Sequence, residues 1–221
     1  IPLNHRARCP ACKWRMSVVA GLREGSVGHF AHLAEVEGRK RPYCPTDNDR
    51  AYCGLTPTTP DEAHAARLKA LFASGWRRHI AAFKALVPRF CPPDLDIALA
   101  QANRKNIWAY RDLQEWEVVY ILVLATDFPS RDGDFGRNLW FRFYFAHSMR
   151  NVGELWIAPP RDLRLLRAAH RPPEAGQRRP IGQPIKVREM DRTRDHLEAP
   201  VAALSPGAVA WYEKVVRKHL P

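Results

Sequence analysis

The sequence has 221 residues, 46% of them hydrophobic, and sets 35 Lys and Arg against 23 Asp and Glu for a formal net charge of +12. That length and apolar content suit one ordinary domain with a small appendage, and no run approaches the eighteen or so apolar residues of a membrane span, which argues against a membrane partner. The positive excess favours polyanions, DNA or RNA, as partners; a solvated basic surface is the plainer reading of the same charge.

Residues 1 to 58 are rich in Cys, His, Gly and Arg, lack any long periodic stretch, and end in the turn-forming Gly54-Leu55-Thr56-Pro57-Thr58-Thr59-Pro60. They read as a separate small module, followed by an α/β domain over 59–221. The start, Ile1 to Arg6, lacks the layout of a secretory signal. Five cysteines, odd in number, suggest a reducing compartment such as the cytoplasm and metal binding more than a disulfide framework.

Cys9-Pro10-Ala11-Cys12 is the informative motif, because two thiolates two residues apart on a turn point at one tetrahedral centre. His29-Phe30-Ala31-His32 and then Cys44 offer the remaining ligands, so Cys9, Cys12, His29, His32 and Cys44 compete for four positions around a zinc ion. Both Cys-Cys-His-His and Cys-Cys-His-Cys ligation stay open. Two short strands, around Ser17 to Ala20 and Gly28 to Phe30, would complete a zinc-ribbon-like hairpin. Such a closed site contributes folding free energy and no chemistry. Cys53 and Cys91 read as small buried hydrophobes. Arg6, Arg8, Lys13, Arg15, Arg23, Arg39, Lys40 and Arg41 surround the motif, with Trp14 and Tyr43 interleaved, so phosphate contact and base stacking are both available there.

Thr59 and Pro60 then open a helix on which Leu68, Leu71, Phe72, Trp76, Ile80, Phe83 and Leu86 recur at helical spacing, with Gly75 as a break and Pro88 as the end. Arg77 and Arg78 add cations to this helix, and His64 and His79 read as surface residues. A further helix is expected from Asp94 to about Leu113. Trp116 to Asp127, a nearly continuous apolar run rich in Val and Ile, reads as a buried strand. Leu139 to Phe145 gives a second strand, whose alternation puts Leu139, Phe141, Phe143 and Phe145 on one face and Trp140, Arg142 and Tyr144 on the other. Val152 to Ile157 reads as a short third strand. The stretch 171–184 is expected to be an irregular basic loop, and Pro206 to start a closing helix packed through Val209, Tyr212, Val215 and Val216. The fold class is therefore α+β, a zinc-ribbon-like module followed by a helical and antiparallel or mixed β domain.

The C-P-x-C at Cys9 to Cys12, the H-F-A-H at His29 to His32 and the helix start at Asp61-Glu62-Ala63-His64, with Arg67 and Lys69 following, together resemble the competence protein CoiA-like group over residues 9 to 72. The resemblance implies a zinc-ribbon-like N-terminus ahead of a nuclease-like domain of the PD-(D/E)XK type. Such a nuclease should show a Glu-x-Lys or Glu-x-Gln element on a strand, and none is found here. The candidate carboxylates for a divergent Mg2+ site are Glu62, Asp94, Asp96, Glu117 and Asp127, the last placed at a strand end.

Two functions compete. One is a non-catalytic, zinc-containing nucleic-acid-binding subunit of a DNA-processing or defence complex, such as a CRISPR-type effector, docked on other protein subunits. The other is a Mg2+-dependent DNA nuclease. A pure protein-interaction module is a third reading, separable by a weak salt dependence of nucleic-acid binding.

Overall fold

A computed structural model describes residues 7–9, 12–19, 29–41, 44, 56–57, 59–133, 136–146, 152–157, 163–174, 184–201 and 203–220. Arg6, Arg23, Tyr43, Cys53 and most of the expected basic loop lie outside these residues. The described architecture is α+β, with small antiparallel sheets and six α-helices.

The N-terminal hairpin pairs β1 (Met16–Val19) with β2 (His29–His32). A tighter hairpin follows, β3 (Glu35–Val36) against β4 (Arg39–Lys40). Its two turn residues, Glu37 at φ +53° and Gly38 at φ +72°, both lie in the left-handed region. Such a turn matches the twist of the flanking strands and suits glycine at the second position.

Helix α1 (Glu62–Ser74) begins later than the sequence suggests. Asp61, not Thr59, caps it, accepting the His64 backbone N–H at 2.9 Å, while Pro60 stays outside. Ala65, Leu68 and Phe72 form its buried face. Gly75 ends α1 and starts α2 (Trp76–Leu86), as expected of the break. Helix α3 (Pro92–Arg104) has proline in its first turn, where a missing N–H costs nothing, and buries Leu95, Ala98, Leu99 and Ala102. It stops at Lys105, short of Leu113; Asn106 at φ +50° turns the chain into a buried 3-10 turn at Ile107–Ala109.

The run expected as a strand is helix α4 (Val118–Ala125). Residues Val118 to Leu124 are all buried, with α2, α3 and β5 packed around them. A helix apolar on every side shows no periodicity, so its sequence imitates a two-faced strand. Glu117 marks the start, accepting the Gln114 backbone N–H at 3.0 Å across the turn that leads into α4.

The main sheet has the order β5-β6-β7, all antiparallel, from β5 (Trp140–Phe145), β6 (Leu165–His170) and β7 (Lys186–Met190). Strand β5 matches expectation, whereas β6 and β7, on either side of 171–184, are strands that the sequence did not lead one to expect. Residues 152–157 hold a single helical turn, α5 (Glu154–Ile157), not a strand. Trp140 and Tyr144 are buried, so β5 is covered on both faces and offers no open stacking surface. The closing helix α6 (Pro206–His219) packs on α3 through Tyr212, Val215 and Val216, with Ser205 as its cap.

The buried cluster is continuous. Cys9, Met16 and Cys44 belong to the same apolar cluster as Phe72, Trp108, Leu122, Phe143 and Tyr212. The composition changes near residue 58, but the core runs across that point.

Candidate metal centre

The knuckle closes on itself through backbone bonds. Cys9 N donates to Trp14 O at 2.9 Å and Lys13 N to Cys9 O at 3.0 Å, with Lys13 at φ +61°. Met16 N then bonds Ala7 O, and Leu33 N bonds Arg15 O, so the β1–β2 ladder leads straight into the knuckle. Register selects the histidine: His32 pairs with Met16 at the knuckle end, while His29 pairs with Val19, three residues and about 10 Å of strand away. The tight β3–β4 turn sends the chain back, with Arg41 N bonding Ala34 O, and this delivers Cys44.

Cys9, Cys12, His32 and Cys44 therefore converge, their ligand atoms all within 4.8 Å of one another, close enough to hold a metal ion. The side chain of His29 lies outside the described residues. Cys9 Sγ lies 3.6 Å from Cys44 Sγ, and Cys12 Sγ lies 3.3 Å from His32 Nε2. Bond lengths of about 2.3 Å to sulfur and about 2.0 Å to nitrogen give tetrahedral edges of about 3.7 Å and about 3.5 Å. The observed separations fall within a few tenths of an ångström of these. Cys9 and Cys44 are buried and Cys12 and His32 half-buried, as a site meant to exclude water requires. Hydrogen bonding with Cys44 and with Cys9, then burial, pushes the Cys12 thiol up. A divalent cation among the sulfurs acts in the opposite sense, because its binding releases thiol protons.

Several of the expected cationic residues are held by neighbours. Arg8 donates to Lys13 O at 3.1 Å, and Arg15 pairs with Glu37 at 3.2 Å. Arg39, Lys40 and Arg41 are exposed on the strand that leads to Cys44. Arg77 lies over the Trp76 ring and within 3.8 Å of Glu213, and Arg78 is exposed on α2. Trp14 is tied down, its indole donating to Leu33 O at 2.7 Å.

The five carboxylates considered for Mg2+ do not meet. Among the described residues the one His, Cys, Asp and Glu group able to hold a metal is the cysteine–histidine cluster. Glu62 accepts from Asn106 at 2.8 Å, and Asp96 takes Lys218 at 2.8 Å and His219 at 2.7 Å. Glu117 accepts the Trp156 indole at 3.2 Å besides its cap. Asp127 follows helix α4, not a strand, and pairs with Arg142 at 3.0 Å. Asp94 is buried and held by Arg131 at 2.8 Å and Arg137 at 3.0 Å, with the Cys91 backbone and thiol on its other oxygen.

Two buried polar groups were not visible in the sequence. One is the Asp94–Arg131–Arg137 node; its signal is only the Pro-Pro-Asp helix start and two distant arginines. The other is His79, read as a surface residue yet 0% exposed. It stacks on Phe72 at 4.3 Å, meets His196 edge-on, and has Nε2 3.3 Å from Glu115 Oε1 at an angle that makes no hydrogen bond. Burial, then His196 and Arg78, lowers its pKa to about 3.

Set beside protein-family models, curated proteins and solved structures, the sequence matches none of them.

Proposed function

We propose that this protein is a zinc-stabilised, non-catalytic nucleic-acid-binding subunit of a nucleoprotein complex that processes or defends against DNA. The observation that carries the reading is the convergence of Cys9, Cys12, His32 and Cys44 beside an exposed basic strand. Four protein ligands of this chemistry fill a tetrahedral zinc shell and leave no position for substrate, which is the pattern of a structural site. The metal would hold the knuckle, β2 and the chain before Cys44 in one geometry. That geometry sets Arg39, Lys40 and Arg41 outward as a short cationic strip. Phosphates are the natural partners of such a strip, and the net charge of +12 adds long-range attraction.

Binding of this kind is governed by counterion release. Anisotropy titrations of labelled single-stranded DNA and RNA over a salt series should give a steep decline of affinity with salt. Replacing Arg39, Lys40 and Arg41 by Gln should reduce the slope by about 2, roughly 0.7 for each phosphate contact removed on a single strand. A flat salt dependence in the unaltered protein would refute nucleic-acid binding. Adding Mg2+ should produce no cleavage, because the candidate carboxylates are dispersed and engaged elsewhere. Partner subunits are tested separately, by pull-down from the native host before and after nuclease treatment.

A further inference from the structure

A cleft of about 480 Å3 opens on the body between the turn after α2 and the antiparallel bridge of Arg131 with Arg137, a size ordinary for a small-ligand site. Its charged lining is three arginines, Arg89, Arg131 and Arg137, against one carboxylate, Asp132. Asp94 lies behind two of them and offsets one further charge, so a positive excess remains. Leu139 and Phe141 supply an apolar wall beside these cations.

The three guanidinium groups are not equally free. Arg137 is 4% exposed and spends its donors on Asp94, on Pro129 O at 2.9 Å and on Pro88 O at 3.2 Å. The last bond ties the turn that carries Arg89 to the bridge, which is closed by Arg131 N on Arg137 O at 2.9 Å and Arg137 N on Arg131 O at 2.7 Å. Arg131 gives Nη2 to Asp94, and its partly exposed fork has donors to spare. Arg89 is exposed, and among the described residues nothing takes its guanidinium. Its backbone is also unusual. With φ +53° it stands third in the turn from Val87 to Phe90, directly after Pro88, where Phe90 N bonds Val87 O at 3.2 Å. Glycine takes such a place without strain. An unpaired cation held there, on the lining of a cleft, points to a ligand and not to the fold.

We propose that this cleft binds the phosphate of a nucleotide, with Arg89 and Arg131 donating to its oxygens and Leu139 and Phe141 lying against the base. Arginine forks match phosphate oxygens, and a phosphate monoester answers the positive excess. Inorganic phosphate alone would leave the apolar wall uncovered. A free mononucleotide and the phosphorylated end of a strand present the same group. The strand end as its source rests on the nucleic-acid reading above, whereas the cleft itself does not.

The test titrates the full chain calorimetrically with adenosine monophosphate and with adenosine. Adenosine should bind about tenfold or more weakly, having lost the charge-assisted hydrogen bonds. Arg89→Gln, which drops the charge, should lose most of that difference. Arg89→Gly should lose it too and yet melt no lower than the unaltered chain, because glycine suits the turn; an arginine serving only the fold would cost stability there. Lys214→Gln, which removes an exposed cation on α6 outside the cleft, should change neither quantity. An oligonucleotide with a terminal phosphate should outbind its hydroxyl-ended twin by a similar factor, and Arg89→Gln should abolish that preference alone. Equal binding of the monophosphate and adenosine by the unaltered protein, or a difference that survives both Arg89 variants, would overturn the cleft as a phosphate site. A preference confined to the mononucleotide would refute the strand end and leave free nucleotides as the ligand. A flat salt dependence with the hydroxyl-ended strand would instead sink the nucleic-acid reading while the cleft still stood.

Discussion

The two halves of this molecule are held by different physics. The N-terminal hairpins are four and two residues long per strand, too short to be stable by pairing alone. Besides the share of Cys9, Met16 and Cys44 in the apolar core, they bring three cysteines and a histidine to one point, close enough to hold a metal ion. The body from α1 onward is stabilised by ordinary apolar burial around α4, with one buried ionic node at Asp94. With a metal bound as proposed above, a composition rich in Cys, Arg and Gly would mark a region ordered by a ligand, whereas the apolar sequence after residue 60 is ordered by its own burial.

The largest expected effect tests this division directly. Structural zinc contributes about 10–16 kcal/mol of apparent binding free energy in small modules. Chelation, followed by hydrogen exchange, should strip protection from β1, β2 and the knuckle while α2, α3 and α4 keep theirs. Equal loss across the chain would mean that the two regions fold as one unit.

Next in size is the ionic node. Asp94→Ala leaves Arg131 and Arg137 facing a buried gap, and removing one partner of a buried pair costs about 3–5 kcal/mol. Denaturant unfolding followed by tryptophan fluorescence should show this loss with metal content unchanged. A cost below about 1 kcal/mol would mean that the node is solvated and does not organise the body.

The buried histidines give a smaller, pH-dependent effect confined to the body. The pKa of His79 is lowered to about 3 and that of His170 to about 4, both chiefly by burial. The unfolded chain therefore binds more protons between those values and about 6.5, so stability is full above pH 6.5 and falls as pH drops through this window. Each histidine contributes at most about 1.4 kcal/mol per pH unit. His79→Phe, which preserves the stack on Phe72, should flatten the acid limb measured on chelated protein. An unchanged limb would place the proton uptake elsewhere. Smallest is the α1 cap, where Asp61→Ala should cost about 1 kcal/mol in thermal melts and leave the metal centre alone.

How far the sequence discloses all this follows the same division. The C-x-x-C spacing is a local geometric statement, so the knuckle was legible. The place of His32 at the knuckle was not, because it depends on the Met16–His32 register, which no spacing encodes. In the body, α1, α2 and α6 carry one apolar face each and were legible, Gly75 included, although the start of α1 was placed too early. Helix α4 is buried on every side and offered no period; the cue that would have helped is Glu117, three residues after Gln114 in the position of a reciprocal cap. Strand β6 escaped because Leu165-Leu166-Arg167-Ala168-Ala169-His170 does not alternate, being covered on both faces, and β7 because Lys186-Val187-Arg188-Glu189-Met190 is largely exposed and mostly charged. His79 was misjudged since a polar residue inside an amphipathic helix reads as solvent-facing until its neighbours are known.

Strand β7 ends the sheet with Lys186, Arg188 and Glu189 exposed along it. A second copy sliding alongside would bring the same charges against these and strip their water, so the sheet resists being lengthened by self-templating. Molecules crowded at high concentration can then lie densely side by side without seeding fibrils.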